Sequence, residues 1–114
     1  MAQRVDKKNR RPLPLRISPL VWGYLGILEK QGVHVSRAYV FGSWAKKKAH
    51  RWSDIDLAIV SPQFTSWTKK FHSLAKAARI DFAEIEAHGF TPQAFADASN
   101  PVVHEIKKYG IRII

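Results

Sequence analysis

Three short segments of the chain have strand character, and segments with helical periodicity separate them. Residues 33–41 are rich in β-branched and aromatic residues, whereas residues 54–60 and 83–87 alternate between apolar and polar residues. Alternation places one side of a strand against a core. The order helix, strand, short helix, strand, helix, strand, helix, helix predicts a small mixed β-sheet flanked by helices, an α/β fold of the α+β type.

A capping residue followed by proline marks three helix starts. These pairs are Ser18-Pro19, Thr91-Pro92 and Asn100-Pro101. The side chain of the first residue can accept a hydrogen bond from the helix N-terminus, and proline has no N–H to leave unpaired there. We expect the first helix to end at Gly32 and the last before Gly110.

A further helix is expected after the capping candidates Thr65 and Ser66. Apolar residues recur there at three- and four-residue intervals, which predicts an amphipathic helix. They are Trp67, Phe71, Leu74, Ala75 and Ala78.

Length and composition limit the classes of protein that fit. With 114 residues and no cysteine, the chain is expected to form one domain without disulfides or thiolate metal sites. We expect a basic, flexible arm at residues 1–16 and a single domain at residues 17–114. No membrane span or secretory signal is expected, so a cytoplasmic location is favoured. The net charge of +10 favours polyanionic partners.

Two aspartates stand two residues apart in the second strand segment. Asp54 and Asp56 are therefore expected to point from the same face of the strand. Adjacent carboxylates repel each other, and divalent cations relieve that repulsion. A pair of bridged Mg²⁺ ions can also clamp the reacting oxygens of a phosphoryl transfer, which makes the aspartates candidate metal ligands.

A third carboxylate would complete such a site. Glu84 and Glu86 share a face of the third strand segment, so alternation leaves both open as candidates. An exposed position on the strand is as good an interpretation for either residue taken alone.

A Gly-Ser doublet follows the first strand segment. Gly42 permits close approach of the backbone, and Ser43 offers a hydroxyl and amide donors at the start of the expected short helix. These groups suit a triphosphate. Lys46, in the run 46–48, is a candidate for attracting it, although such runs are commonly solvated surface.

The sequence Gly42-Ser43-Trp44-Ala45, followed by Ser53-Asp54-Ile55-Asp56-Leu57, resembles the signature of the minimal nucleotidyltransferases of the DNA polymerase β-like superfamily. The resemblance covers about residues 20–114. One departure is Lys47, where family members often carry glycine.

The resemblance implies that Asp54 and Asp56 bind two catalytic Mg²⁺ ions and that Gly42 and Ser43 hold the nucleoside triphosphate. It also implies a third acid from the later strand, and Glu86 is favoured because family members commonly carry an acid shortly before a Thr-Pro helix start. Minimal members often pair with a small helical HEPN protein in toxin–antitoxin modules.

These features favour a Mg²⁺-dependent transferase that moves a nucleoside monophosphate, with AMP from ATP as the leading candidate, to an acceptor hydroxyl on a partner protein. One alternative is a non-catalytic antitoxin of the same fold. Another is a basic RNA-binding module that uses the N-terminal arm. The five histidines show no metal-ligand spacing with one another, so no role is assigned to them.

Overall fold

A computed structural model of the chain describes residues 12–50, 53–77, 82 and 84–114. Residues 1–11 of the expected arm, Ala78 and the side chains of Trp67 and Phe71 lie outside the described part. In chain order the elements are α1 (Ser18–Lys30), β1 (Arg37–Phe41), β2 (Ile55–Val60), α2 (Trp67–Ala77), β3 (Ile85–Phe90), α3 (Pro92–Phe95), α4 (Pro101–Tyr109) and β4 (Ile111–Arg112).

The four strands form one mixed sheet in the order β3-β2-β1-β4. Strand β1 pairs with β2 and β4 in antiparallel fashion, whereas β2 and β3 are parallel and are connected through α2. This small mixed sheet with flanking helices confirms the predicted fold class. None of the helices in the described ranges is long and apolar enough to cross a membrane.

Each face of the sheet packs against different helices. One face contributes Leu57 and Ile59 to a core that contains the buried side of α1. The other contributes Ala58 and Val60 to a core with α3 and α4. Because side chains alternate along β2, Asp56 belongs to the α3/α4 face. Its carboxylate therefore lies where that smaller core ends.

Three of the four predicted helix caps are present. Ser66 Oγ accepts from the Lys69 N–H, Thr91 Oγ1 from the Ala94 N–H and Asn100 Oδ1 from the Val102 N–H. The prediction for Ser18 is wrong, because Ser18 is the first residue of α1 and Ile17 occupies the cap without a side-chain hydrogen bond. A turn closes that end instead: the N–H groups of Ile17 and Ser18 donate to the Pro14 carbonyl.

The prediction of a short helix after β1 is also wrong. Residues 42–47 form turns, in which the N–H groups of Ala45 and Lys46 both donate to the Gly42 carbonyl. Lys47 has φ +59°, a left-handed conformation that prevents a right-handed helix from continuing.

The strands differ from the sequence predictions in three places. Strand β1 covers Arg37–Phe41 rather than 33–41. Strand β3 covers Ile85–Phe90 rather than 83–87. Within it, Gly89 leaves space for the Lys70 side chain, which lies where a Cβ would be. Strand β4, with two residues directly after α4, was not predicted because it is too short for alternation to be visible.

Candidate active site

The parallel register of β2 and β3 brings two of the predicted carboxylates together. Asp56 is the register partner of Glu86, and His88 lies two residues further along β3 on the same face. The ligand atoms of Asp56, Glu86 and His88 all lie within 4.8 Å of one another. We call these three residues the carboxylate–histidine cluster. Two oxygen donors and one nitrogen donor at such separations can hold a metal ion.

His88 is the residue of this cluster that the sequence analysis missed. Its Nε2 lies 3.4 Å from Asp56 Oδ1 and 3.9 Å from Glu86 Oε1. The Phe41 ring packs against the imidazole with 5.0 Å between centroids. The sequence signal for it is the Glu86-x-His88 pattern, which places both side chains on one strand face.

The charge on Asp56 is held in an unfavourable environment. Burial raises the pKa of Asp56 above its usual value, and the nearby Glu86 carboxylate acts in the same direction. The hydrogen bond and charge of His88 lower the pKa and partly offset these effects. A divalent cation would favour the ionised carboxylate, which is the behaviour expected of a metal ligand.

Gly42 lies directly against Asp56 because its neighbour Phe41 is the register partner of Asp56. It has φ +71°, and a Cβ added to it would lie 2.2 Å from Asp56 Oδ2. Glycine is therefore required both for the backbone conformation and for the space that the carboxylate occupies.

Unpaired amide donors lie next to this glycine. Among the residues that the structure describes, the backbone N–H groups of Ser43 and Trp44 have no hydrogen-bond partner. Consecutive amide donors can bind an anion, and here they lie in a turn rather than at the start of the expected short helix.

The Lys46 ammonium points toward α4. Its Nζ lies 3.1 Å from Glu105 Oε1 and 5.0 Å from the centroid of the Tyr109 ring. Both partners of the ion pair are partly exposed, and such pairs contribute about 0–1 kcal/mol. Lys46 can therefore leave Glu105 at little cost, and its contact with a triphosphate stays a prediction.

The remaining carboxylate candidates lie outside the carboxylate–histidine cluster. Asp54 and Glu84 are both exposed, and the Glu84 carbonyl accepts the N–H of Ile55 at the start of β2. Glu86, rather than Glu84, is level with Asp56, and the catalytic roles of all four acids stay predictions.

A cleft of about 600 Å³ runs along the outer side of β3. Glu86 and His88 line it from one face of the sheet, and Lys70 and Leu74 of α2 line it from the other. Its volume falls in the range of small-molecule sites, so it can admit a nucleotide or an acceptor group beside the cluster.

Lys47→Gly is expected to stabilise the protein. A non-glycine residue in the left-handed region costs about 1–2 kcal/mol, and glycine avoids this cost. The greater freedom of glycine in the unfolded chain offsets part of the gain. Denaturant unfolding should give a free energy of unfolding higher by about 0.5–1 kcal/mol. Lys48→Gly is the matched control, since Lys48 has no positive φ; equal effects of the two substitutions would contradict the explanation.

Comparison with known proteins assigns the chain to a family. The family model described as a nucleotidyltransferase domain matches residues 24–112. No curated protein matches the chain.

Two solved structures share the fold. One is a protein from Sulfolobus solfataricus described as a candidate nucleotidyltransferase, with TM-score 0.57, 16% identity and coverage of 69% of this chain and 70% of that chain. The other is a toxin–antitoxin with AMP-PNP, with TM-score 0.55, 19% identity and coverage of 78% and 68%. The chain belongs to the nucleotidyltransferase domain family.

Proposed function

We propose that this protein transfers a nucleoside monophosphate, AMP from ATP in the first instance, to a hydroxyl group on a partner protein. The observation that carries the proposal is the pairing of Asp56 with Glu86 directly beside the Gly42-Ser43 turn. Metal-binding carboxylates and phosphate-binding amides next to each other are what nucleotidyl transfer requires.

Two Mg²⁺ ions fit the acids of this site. Asp56 and Glu86 offer oxygen donors within 4.8 Å, and Asp54 adds an exposed carboxylate two residues before Asp56. The cations would neutralise charge on the triphosphate and polarise its α-phosphate. The raised pKa of Asp56 is consistent with this assignment, because a cation would relieve the unfavourable environment of the carboxylate.

The protein groups then position the reactants. The amides of Ser43 and Trp44 and the hydroxyl of Ser43 donate to phosphate oxygens, and Lys46 exchanges Glu105 for the triphosphate. The acceptor oxygen attacks the α-phosphorus, the bond to the β-phosphate oxygen breaks and pyrophosphate leaves. Glu86, 59% exposed and open to the cleft beside β3, receives the acceptor proton.

We further propose that the protein acts as one component of a toxin–antitoxin pair, with a HEPN-family protein as the partner. The fold shared with a toxin–antitoxin structure determined with AMP-PNP supports the toxin–antitoxin role, and the resemblance of the sequence to minimal nucleotidyltransferases supports a HEPN partner. The open cleft beside β3 also supports a macromolecular acceptor, because it leaves Glu86 accessible from outside the chain.

Thermal unfolding with Mg²⁺ and ATP, separately and together, tests the proposal. We expect the combination to raise Tm by more than the sum of the separate shifts, because the triphosphate supplies metal ligands and the metal neutralises the triphosphate. Asp56→Asn should abolish this excess. Label transfer from α-³²P-ATP to the co-purified partner then tests the reaction itself.

The alternatives give different results in the same experiments. A tight complex with the partner, but neither an ATP shift nor label transfer, would indicate a non-catalytic antitoxin. Salt-sensitive RNA binding without an ATP shift would indicate a nucleic-acid-binding module.

A further inference from the structure

His88 adds a nitrogen donor to what would otherwise be a site of oxygen ligands. The imidazole is half-buried, whereas the other four histidines of the chain are exposed. It lies between the smaller core and the two carboxylates, and the Phe41 ring packs against it. Its orientation toward Asp56 and Glu86 is therefore set by the fold and not by free rotation at the surface.

The separations within the carboxylate–histidine cluster suit ligands of a single ion. The distances from His88 Nε2 to the two carboxylates, 3.4 and 3.9 Å, are long for hydrogen bonds to oxygen. Two ligand atoms that bind one ion at about 2.1 Å with a tetrahedral angle lie about 3.4 Å apart. The Asp56–His88 separation matches this value, the Glu86–His88 separation exceeds it by about 0.5 Å, and a change of rotamer in the exposed Glu86 side chain can bring its carboxylate to the same cation.

The donor types distinguish between cations. Mg²⁺ takes oxygen ligands and retains much of its water, whereas imidazole is a good ligand for first-row transition metals. We propose that His88 is a direct ligand in this site and makes it selective for a transition-metal dication, such as Mn²⁺ or Zn²⁺, over Mg²⁺. This inference rests on the proposed function only because both use the carboxylates of Asp56 and Glu86. It concerns metal binding in the absence of nucleotide.

Metal binding to the nucleotide-free chain tests the proposal. Isothermal titration with Mn²⁺ and with Mg²⁺ is compared for the wild type, His88→Gln and the control His72→Gln, whose side chain is exposed on α2. We expect His88→Gln to weaken Mn²⁺ binding by roughly tenfold or more and Mg²⁺ binding by less than threefold, because Mn²⁺, as a transition metal, gains more from a nitrogen ligand than Mg²⁺, which keeps oxygen and water ligands. His72→Gln should match the wild type for both ions.

Pulsed electron paramagnetic resonance of bound Mn²⁺ provides a direct readout. The wild type and His72→Gln should show coupling to a histidine ¹⁴N nucleus, and His88→Gln should lose it while retaining the circular dichroism spectrum of the folded protein. Absence of nitrogen coupling in the wild type, or its persistence in His88→Gln, would overturn the assignment.

The outcome is separable from that of the proposed function. Label transfer with Mg²⁺ but no nitrogen coupling to Mn²⁺ would refute the role of His88 and leave nucleotidyl transfer intact. Nitrogen coupling to Mn²⁺ without label transfer would support the role of His88 and refute nucleotidyl transfer.

Discussion

Asp56→Asn should abolish nucleotidyl transfer while the protein stays folded. The substitution keeps the volume of the side chain but removes the carboxylate that faces both Glu86 and His88. Metal charge stabilisation contributes several kcal/mol to such reactions, so the rate should fall by roughly a thousandfold or more. The measurement is label transfer from α-³²P-ATP to the partner at saturating ATP and Mg²⁺. A rate near that of the wild type would refute the proposed metal site.

The same substitution should stabilise the metal-free protein at neutral pH. The pKa of Asp56 is higher in the folded protein than in the unfolded chain, so the carboxyl group of the unfolded chain loses its proton at a lower pH. The contribution of Asp56 to the free energy of unfolding therefore falls as pH rises from about 4 through the folded-state pKa. Asparagine removes this loss. Comparing denaturant unfolding of the wild type and Asp56→Asn below pH 4 and at pH 7 should show the advantage of asparagine at pH 7 only.

Two other carboxylates test the assignment of Asp56, with Glu84 as the control and Asp54 as a second proposed ligand. Glu84→Gln should change neither activity nor stability strongly, because Glu84 is exposed and lies outside the carboxylate–histidine cluster. Asp54→Asn should lower transfer, because the proposed function counts the exposed Asp54 carboxylate among the metal ligands. Equal loss of activity in Glu84→Gln would mean that general surface charge, rather than metal binding, explains the effect.

Gly42→Ala should destabilise the protein and inactivate the site at the same time. The added Cβ would meet the Asp56 carboxylate at 2.2 Å, and the residue must also keep φ +71°. The left-handed conformation alone costs about 1–2 kcal/mol. Displacement of the Asp56 carboxylate should remove the excess Tm shift with Mg²⁺ and ATP. It should also abolish nucleotidyl transfer.

Two other glycines separate these effects. Gly32 has φ +87° but open space around the Cβ position, so Gly32→Ala measures the conformational cost alone. Gly26 lies within α1 with no atom within 4 Å of the added Cβ, and Gly26→Ala should stabilise by about 0.5–1 kcal/mol. If Gly42→Ala lost no more stability than Gly32→Ala and bound Mg²⁺–ATP normally, the close approach to Asp56 would have no functional importance.

Local patterns were sufficient to predict most of the fold. The caps at Thr91 and Asn100 and the alternation in β2 depend on neighbours in sequence, and all three are present. Ser18 failed as a cap because the turn at Pro14 already satisfies the start of α1. The helix expected after Ser43 failed because Lys47 adopts a positive φ that its residue type does not indicate.

The candidate site was less accessible to sequence reasoning because it depends on strand register. Alternation could not distinguish Glu84 from Glu86; the parallel pairing of β2 and β3 makes Glu86 level with Asp56. The same pairing places His88 beside Asp56, which lies 32 residues earlier in the chain. Asp54 shares the predicted strand pattern of Asp56, but it precedes β2 and is exposed.

Strand β3 lies at an edge of the sheet, with β2 as its neighbour. Glu86 and His88 are both on this edge strand, whereas Asp56 is on an interior strand. Local openings of a folded protein cost between about zero and the global free energy of unfolding, so an opening that separates β3 from β2 can occur without unfolding the rest of the molecule. Fraying of β3 would therefore dismantle the ligand set in a molecule that is otherwise native, and a cation that joins the two strands would oppose that fraying by mass action. The metal would then stabilise the pairing of β2 with β3 in addition to its role in catalysis.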